Sequence, residues 1–240
     1  MIKIKINQNI LKQFIFYIFK KIKKWSLILK FNSYFEDYKY NSEKKNKVGV
    51  CLGFNSWKRE WFAQFIPDYN LKYIKKNYKS CIVLLLLIRL RGNYEVFIWG
   101  CKYSFIIEKY LRFRKITFYR VEDAFVRSIG LGADKIPPLS VVIDKNGIYF
   151  DPNSHSELFD LIKFYSKNIT EKEKQRARNN IDFIVNNNID KYNVASKNYD
   201  DEFDDKLKQF SLKKKILVVG QVDKDYSILK GSSYLKNSEL

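Results

Sequence analysis

Ile116-Thr117-Phe118-Tyr119 runs directly into Arg120-Val121-Glu122-Asp123-Ala124-Phe125-Val126-Arg127-Ser128-Ile129-Gly130-Leu131-Gly132. The first four residues are β-branched or aromatic, which predicts a buried strand. Two adjacent carboxylates follow, then an arginine, a serine and two glycines. In α/β proteins ligands gather outside the carboxyl ends of strands, and Glu122 and Asp123 stand where such an end is expected. Neighbours on an extended chain point to opposite sides, so one carboxylate can face a cleft while the other braces the loop. A second reading stays open, in which the pair sits in the first turn of a helix and complements its dipole.

Upstream, Lys47-Val48-Gly49-Val50-Cys51-Leu52-Gly53-Phe54 predicts a strand with a glycine exit, and Asn55-Ser56-Trp57-Lys58-Arg59 opens a helix through Phe65. That is the start of an α/β unit. Gly49 and Gly53 do not make the three-glycine dinucleotide fingerprint. Cys81–Ile88 is an apolar run too short to cross a bilayer, and Tyr94–Trp99 is a further strand leaving through Gly100.

Downstream, Leu139–Ile143 predicts a strand, Asp144-Lys145-Asn146-Gly147 a turn, and Ile148-Tyr149-Phe150 an antiparallel return. Ser154-x-x-Glu157 and Thr170-x-x-Glu173 read as capping boxes, the second before a long helix to about Asn187. His155, the only histidine, falls at the first cap and reads as a surface residue. Asp190 to Lys208 is charged and weakly patterned. Lys215–Gly220 predicts a further buried strand, with Gln221, Asp223, Asp225 and Ser227 at its carboxyl end. The expected division is a basic segment and linker over 1–46, a Rossmann-like domain over 47–210, and the start of a second over 211–240.

Residues 1–31 place Leu11, Phe14, Ile15, Ile18, Ile22, Trp25 and Leu29 at helical spacing among lysines. This fits a basic amphipathic helix on an anionic membrane surface, or a helix packed on the domain with its lysines solvated. The formal net charge is +19. It accompanies a general excess of lysine, isoleucine and asparagine, and no basic-aromatic RNA-binding motif accompanies it, so nucleic acid is not an expected partner. Three scattered cysteines and one histidine exclude a zinc site or a disulfide framework and fit a reducing cytoplasm.

The ordered set of motifs resembles the bacterial capsule polysaccharide biosynthesis proteins, which include retaining β-Kdo glycosyltransferases. The matching pieces are Gly53–Arg59, Trp99–Ser104, Glu122–Gly132, Pro138–Ser140, Asp144–Asp151 and Val218–Ile228. The resemblance implies an α/β fold: a Rossmann-like N-terminal domain of a two-domain, GT-B-like glycosyltransferase, with only the first strand of the second domain present. It implies transfer of Kdo, an anionic keto-sugar, from CMP-Kdo to a lipid-linked glycan with retention, and no metal or other cofactor.

By the same resemblance Asp225 matches the nucleophile and Glu122 the acid/base. Gln221, Ser227 and Asp123 would line the sugar site, and Arg127, Ser128 and Lys102 would meet its carboxylate or phosphate. Arg127 has a second reading as an ion-pair partner of Glu122 or Asp123. Ala124 and Cys101 depart from the family's usual glycine and arginine, and the downstream Lys-x-His-Pro-Asp segment is absent. The expectation is a chain incomplete as a transferase on its own, with a separate chain as a candidate to supply the missing half, peripheral at the inner face of the inner membrane. The alternative expectation is a non-catalytic binding module in capsule assembly.

Overall fold

The structure is a computed structural model that describes residues 35–36, 47–74, 94–101, 105–194 and 222–231, with single positions between 205 and 220. The expected helix in 1–31, the run Cys81–Ile88, Lys102 and Gln221 lie outside the described residues.

The elements are β1 (Phe35–Glu36), β2 (Lys47–Leu52), α1 (Arg59–Phe65), β3 (Tyr69–Ile74), β4 (Tyr94–Trp99), α2 (Phe105–Phe113), β5 (Phe118–Asp123), β6 (Val141–Asp144), α3 (Glu157–Asn168), α4 (Glu171–Asn186) and α5 (Tyr226–Gly231). They build a six-stranded sheet in the order β1-β3-β2-β4-β5-β6. Strands β3, β2, β4 and β5 are parallel, and β1 and β6 pair antiparallel at the two edges. From β2 the chain steps outward to β3 on one side, then crosses to β4 on the other. Carboxyl ends on either side of such a switch point enclose a ligand crevice. This is a Rossmann-like domain.

Alternation along each strand assigns residues to the two faces. Val50, Leu52, Val96 and Ile98 meet Ile107 and Leu111 of α2 on one face. Cys51, Phe97, Trp99 and Val121 meet Trp61 and Phe62 of α1 on the other. Both faces are covered, which is why β2 and β4 read as continuous apolar runs. Gly49 is needed for space: a Cβ there would lie 2.8 Å from Leu71 Cδ2 and 2.9 Å from Phe97 Cε2.

Three readings are decided. First, Glu122 and Asp123 are the last residues of β5, so the strand-end reading holds and the helix N-terminus reading does not. The strand continues past Tyr119 because Arg120 finds partners in Glu108 of α2 and the Gly100 carbonyl. Second, Ile148-Tyr149-Phe150 forms no returning strand. The Asp144 carboxylate turns the chain instead, with Oδ1 accepting from Asn146 N (2.8 Å) and Gly147 N (2.9 Å), and Oδ2 from Glu157 N (2.8 Å). An aspartate bonding its own downstream backbone competes with a hairpin.

Third, the cap of α3 is Ser156, accepting from Phe159 N at 3.1 Å, not Ser154, whose N–H donates to the Asp151 carbonyl. The Thr170–Glu173 capping box forms as expected. The expected strand Lys215–Gly220 lies mostly outside the described residues, with only Ile216 and Gly220 described in it. Conversely, β3 is not among the expected strands, although Tyr69, Leu71 and Tyr73 alternate with Asn70 and Lys72.

Gly147 is required by its surroundings, since a Cβ there would sit 2.4 Å from the His155 carbonyl oxygen. Gly147→Ala should therefore displace the start of α3 and lower stability by about 1–3 kcal/mol, read as a shift of the urea unfolding midpoint. An unchanged midpoint would refute this.

Candidate functional site

The crevice at the switch point is bounded by strand exits. Gly100, after β4, has φ 54°, and its N–H donates to Val121 O at 2.8 Å. A Cβ on Gly100 would lie 2.9 Å from Glu122 Oε2, so the glycine leaves room for that carboxylate. Burial pushes the Glu122 carboxyl above its ordinary range. The Asp123 N–H, 3.0 Å from Oε1, pulls it down, the Asp123 charge pushes it up, and the ammonium groups of Lys58 and Lys191 pull it down. Lys58, itself buried, places Nζ 3.2 Å from the centre of the Trp99 ring, a cation–π contact.

Asp123 turns the other way, to Arg127. The Arg127 side chain is 0% exposed, with Nε 2.9 Å from Asp123 Oδ2. The Nε–H is not aligned on that oxygen, so this is a charge contact and not a directed hydrogen bond. The guanidinium also donates through Nη1 to Ser128 Oγ (2.7 Å) and through Nη2 to Ile136 O (2.9 Å), and Ser128 Oγ donates to Gly130 O (2.7 Å). The ion pair with Asp123, one of the two readings of Arg127, is therefore formed. Arg127 and Ser128 are closed inside the loop that follows β5.

A turn after α4 docks on this loop. Asp190 Oδ1 accepts from Tyr192 N (2.6 Å) and Asn193 N (2.5 Å). Lys191 O accepts from Arg127 N (2.8 Å), Tyr192 O from Gly130 N (2.7 Å), and Asn193 Nδ2 donates to Ser128 O (3.0 Å). Lys191 and Tyr192 are thereby held beside the strand end. From the segment after β6, Tyr149 donates to the Asp123 carbonyl at 3.2 Å. Its hydroxyl is pushed up to about 12, by burial first and then by the charges of Glu122, Asp123 and Asp225 among its neighbours.

Asp225, just before α5, accepts from Ser227 Oγ (2.7 Å) and Ser227 N (2.8 Å). These bonds hold its carboxyl below the ordinary range, with Lys191 assisting against burial. Helix α5 is tied to the sheet end by the ion pair of Lys230 with the buried Asp151. Burial raises the Cys101 thiol, which feels Lys230, Arg120, Asp151 and Glu122 around it. Glu122 and Asp225, distant in sequence, are thus both lowered by the Lys191 charge, and both raise the Tyr149 hydroxyl. Sequence reasoning did not single out Lys58, Lys191 or Tyr149. Among the described residues no group of three or more histidine, cysteine or acidic side chains is arranged to hold a metal ion, and no helix is long and apolar enough to cross a membrane.

Residues 95–239, which contain both carboxylates, match the family described as capsule polysaccharide biosynthesis protein. The chain belongs to this family. It is 34% identical over 190 residues to the lipopolysaccharide-processing protein LpsZ of Rhizobium meliloti, covering 78% of this chain and 41% of that protein. It is 31% identical over 201 residues to the capsule polysaccharide modification protein LipA of Neisseria meningitidis serogroup A, covering 83% of this chain and 26% of LipA. The chain thus spans less than half the length of these relatives. A solved structure of Thermosulfurimonas dismutans KpsC, beta Kdo 2,4 transferase, aligns with a TM-score of 0.47 and 25% identity, covering 65% of this chain and 46% of that one.

Two predictions follow from the burial of these charges. Arg127→Met should cost about 3–5 kcal/mol, because it strands the Asp123 carboxylate and the Ile136 carbonyl; a loss under about 1 kcal/mol in urea unfolding would contradict the clamp. For Glu122, a folded pKa above the unfolded value of about 4.3 means its contribution is fully present below that value and is lost as pH rises through the folded pKa. Glu122→Gln removes this dependence. The variant should gain stability relative to the parent as pH rises from about 4 into the neutral range, measured by paired unfolding curves.

Proposed function

We propose that this chain carries the acceptor-side catalytic groups of a retaining sugar transferase of surface-polysaccharide synthesis, moving Kdo from CMP-Kdo to a lipid-linked glycan. The observation that supports it is the opposed tuning of two carboxyls at one crevice: Asp225 held low by Ser227, Glu122 pushed up by burial. Retaining transfer needs one carboxylate that stays ionised to attack and one that handles a proton, and environments that drive two carboxyls apart assign those roles.

In the first step an Asp225 oxygen bonds to the anomeric carbon while the bond from that carbon to the CMP phosphate oxygen breaks, and CMP departs with the electron pair. In the second, Glu122 takes the proton of the acceptor hydroxyl as its oxygen displaces Asp225. The raised pKa makes Glu122 a stronger base than an ordinary carboxylate, closer to the neutral range where proton transfer is efficient. On this reading a nucleotide-binding half completes a GT-B-like cleft, and the basic apolar segment 1–31 meets anionic lipid at the inner face of the inner membrane.

The test is transfer from CMP-Kdo to a synthetic lipid-linked Kdo acceptor, by the chain alone and by the chain supplied with the C-terminal portion of an LpsZ-type relative. Asp225→Ala should abolish turnover. Glu122→Gln should slow it roughly 10²–10⁴-fold and let a Kdo–enzyme adduct at Asp225 accumulate in the mass spectrum. No transfer in either case, from a chain folded by circular dichroism, would leave a non-catalytic binding module.

A further inference from the structure

We infer that Lys191 is the substrate-binding cation of this site, the group that receives the carboxylate of the transferred sugar acid. The inference rests on the transferase reading for the identity of the sugar, but its geometry stands apart from it. The cations that sequence motifs offer for an anion are Arg127 and Lys102. The Arg127 guanidinium is fully buried and directed to Asp123, Ser128 and Ile136, and Lys102 lies outside the described residues.

Lys191 is placed differently. Its carbonyl is gripped by the N–H groups of Arg127 (2.8 Å) and Ser128 (3.3 Å), so its backbone is fixed to the loop that carries the strand-end carboxylates. Its side chain is half-buried, runs over the Tyr192 ring at 5.5 Å, and makes no ion pair within 4 Å among the described residues. The ammonium is nonetheless close enough to lower the carboxyls of both Glu122 and Asp225. No ion pair among the described residues takes it up.

Charge balance supplies the chemical reason. Asp123 and Arg127 neutralise one another. Lys191 acts on both Glu122 and Asp225. When Asp225 bonds to the sugar it becomes an ester and loses its charge. The half-buried Lys191 ammonium then has one carboxylate fewer to balance it, where an unmatched charge is costly. A sugar that brings its own carboxylate restores the balance, and a neutral sugar does not. The same ammonium thus favours an acidic sugar over a neutral one of similar shape, most strongly in the covalent state.

The experiment uses the full chain with Lys191→Met and Lys191→Arg. Both variants keep the backbone carbonyl that docks the turn, so the fold is preserved. Three probes are titrated by calorimetry or saturation-transfer NMR: Kdo, Kdo methyl ester, and N-acetylneuraminate as a different sugar acid. Expected is Kdo binding weakened about ten- to a hundred-fold by Lys191→Met, largely rescued by Lys191→Arg, with the ester bound equally by parent and variants. In ¹³C NMR the Glu122 carboxyl should titrate at higher pH in Lys191→Met than in the parent.

Kdo bound equally by parent and Lys191→Met would overturn the assignment and leave the transferase reading standing. N-acetylneuraminate bound in a Lys191-dependent manner, with Kdo not bound, would uphold Lys191 and overturn Kdo as the sugar. Binding of neither acid by the parent would overturn both. A Glu122 titration unmoved by Lys191→Met would overturn the placement of the ammonium itself.

Discussion

The arrangement at the crevice depends on a buried guanidinium. Arg127 has no exposed surface, and a charge so enclosed is tolerated only beside a counter-charge and polar partners. Asp123 supplies the charge, Ser128 and Ile136 the acceptors. Asp123 is thereby held on the loop side of β5, and Glu122, its neighbour on an extended strand, is left to face Gly100 and the crevice. The loop beyond has little regular structure, so its N–H groups need partners elsewhere. The turn at Asp190–Asn193 provides them, accepting from Arg127, Ser128 and Gly130. One ion pair therefore orients Glu122, orders the loop and fixes the turn that carries Lys191.

Much of the sheet was legible in the sequence because its interior strands are buried on both faces. Val50 to Leu52 and Val96 to Trp99 are apolar without interruption, and glycines with φ of 81° and 54° mark their exits at Gly53 and Gly100. Misreadings fell where a distant partner decides local structure. The strand read over Ile116–Tyr119 runs on to Asp123 because Glu108 and the Gly100 carbonyl are brought to Arg120. Asn146-Gly147 looks like a hairpin until Asp144 claims the turn and the start of α3.

The candidate carboxylates were legible in the sequence, and the cations beside them were not. Glu122 and Asp225 sit in motifs with an order and spacing that can be matched. Lys191 lies in a stretch without hydrophobic period, and nothing in its immediate neighbours links it to residue 127. The one local clue is Asp190 with Asn193 three residues on, the spacing of a side-chain-capped turn. Such a turn predicts a rigid loop, and rigid loops often carry function, but what it docks against emerges only in three dimensions. Lys58 was visible inside Trp57-Lys58-Arg59. Its role required Trp99, from another strand, to lie beneath its ammonium.

This distinction bears on how the large positive charge should be read. The sequence carries 45 lysines and arginines against 26 aspartates and glutamates. At physiological ionic strength the field of an exposed charge decays over about 8 Å, so an exposed lysine farther off than that is silent at the crevice. It can help bring a chain toward an anionic surface but cannot select a ligand. Selection requires a cation whose screening is limited by burial and whose position is fixed by the backbone. Lys58 meets the first condition by stacking on Trp99, and Lys191 meets the second through the hydrogen bonds to its carbonyl. The charge that discriminates between ligands is a small, placed fraction of the charge that attracts them.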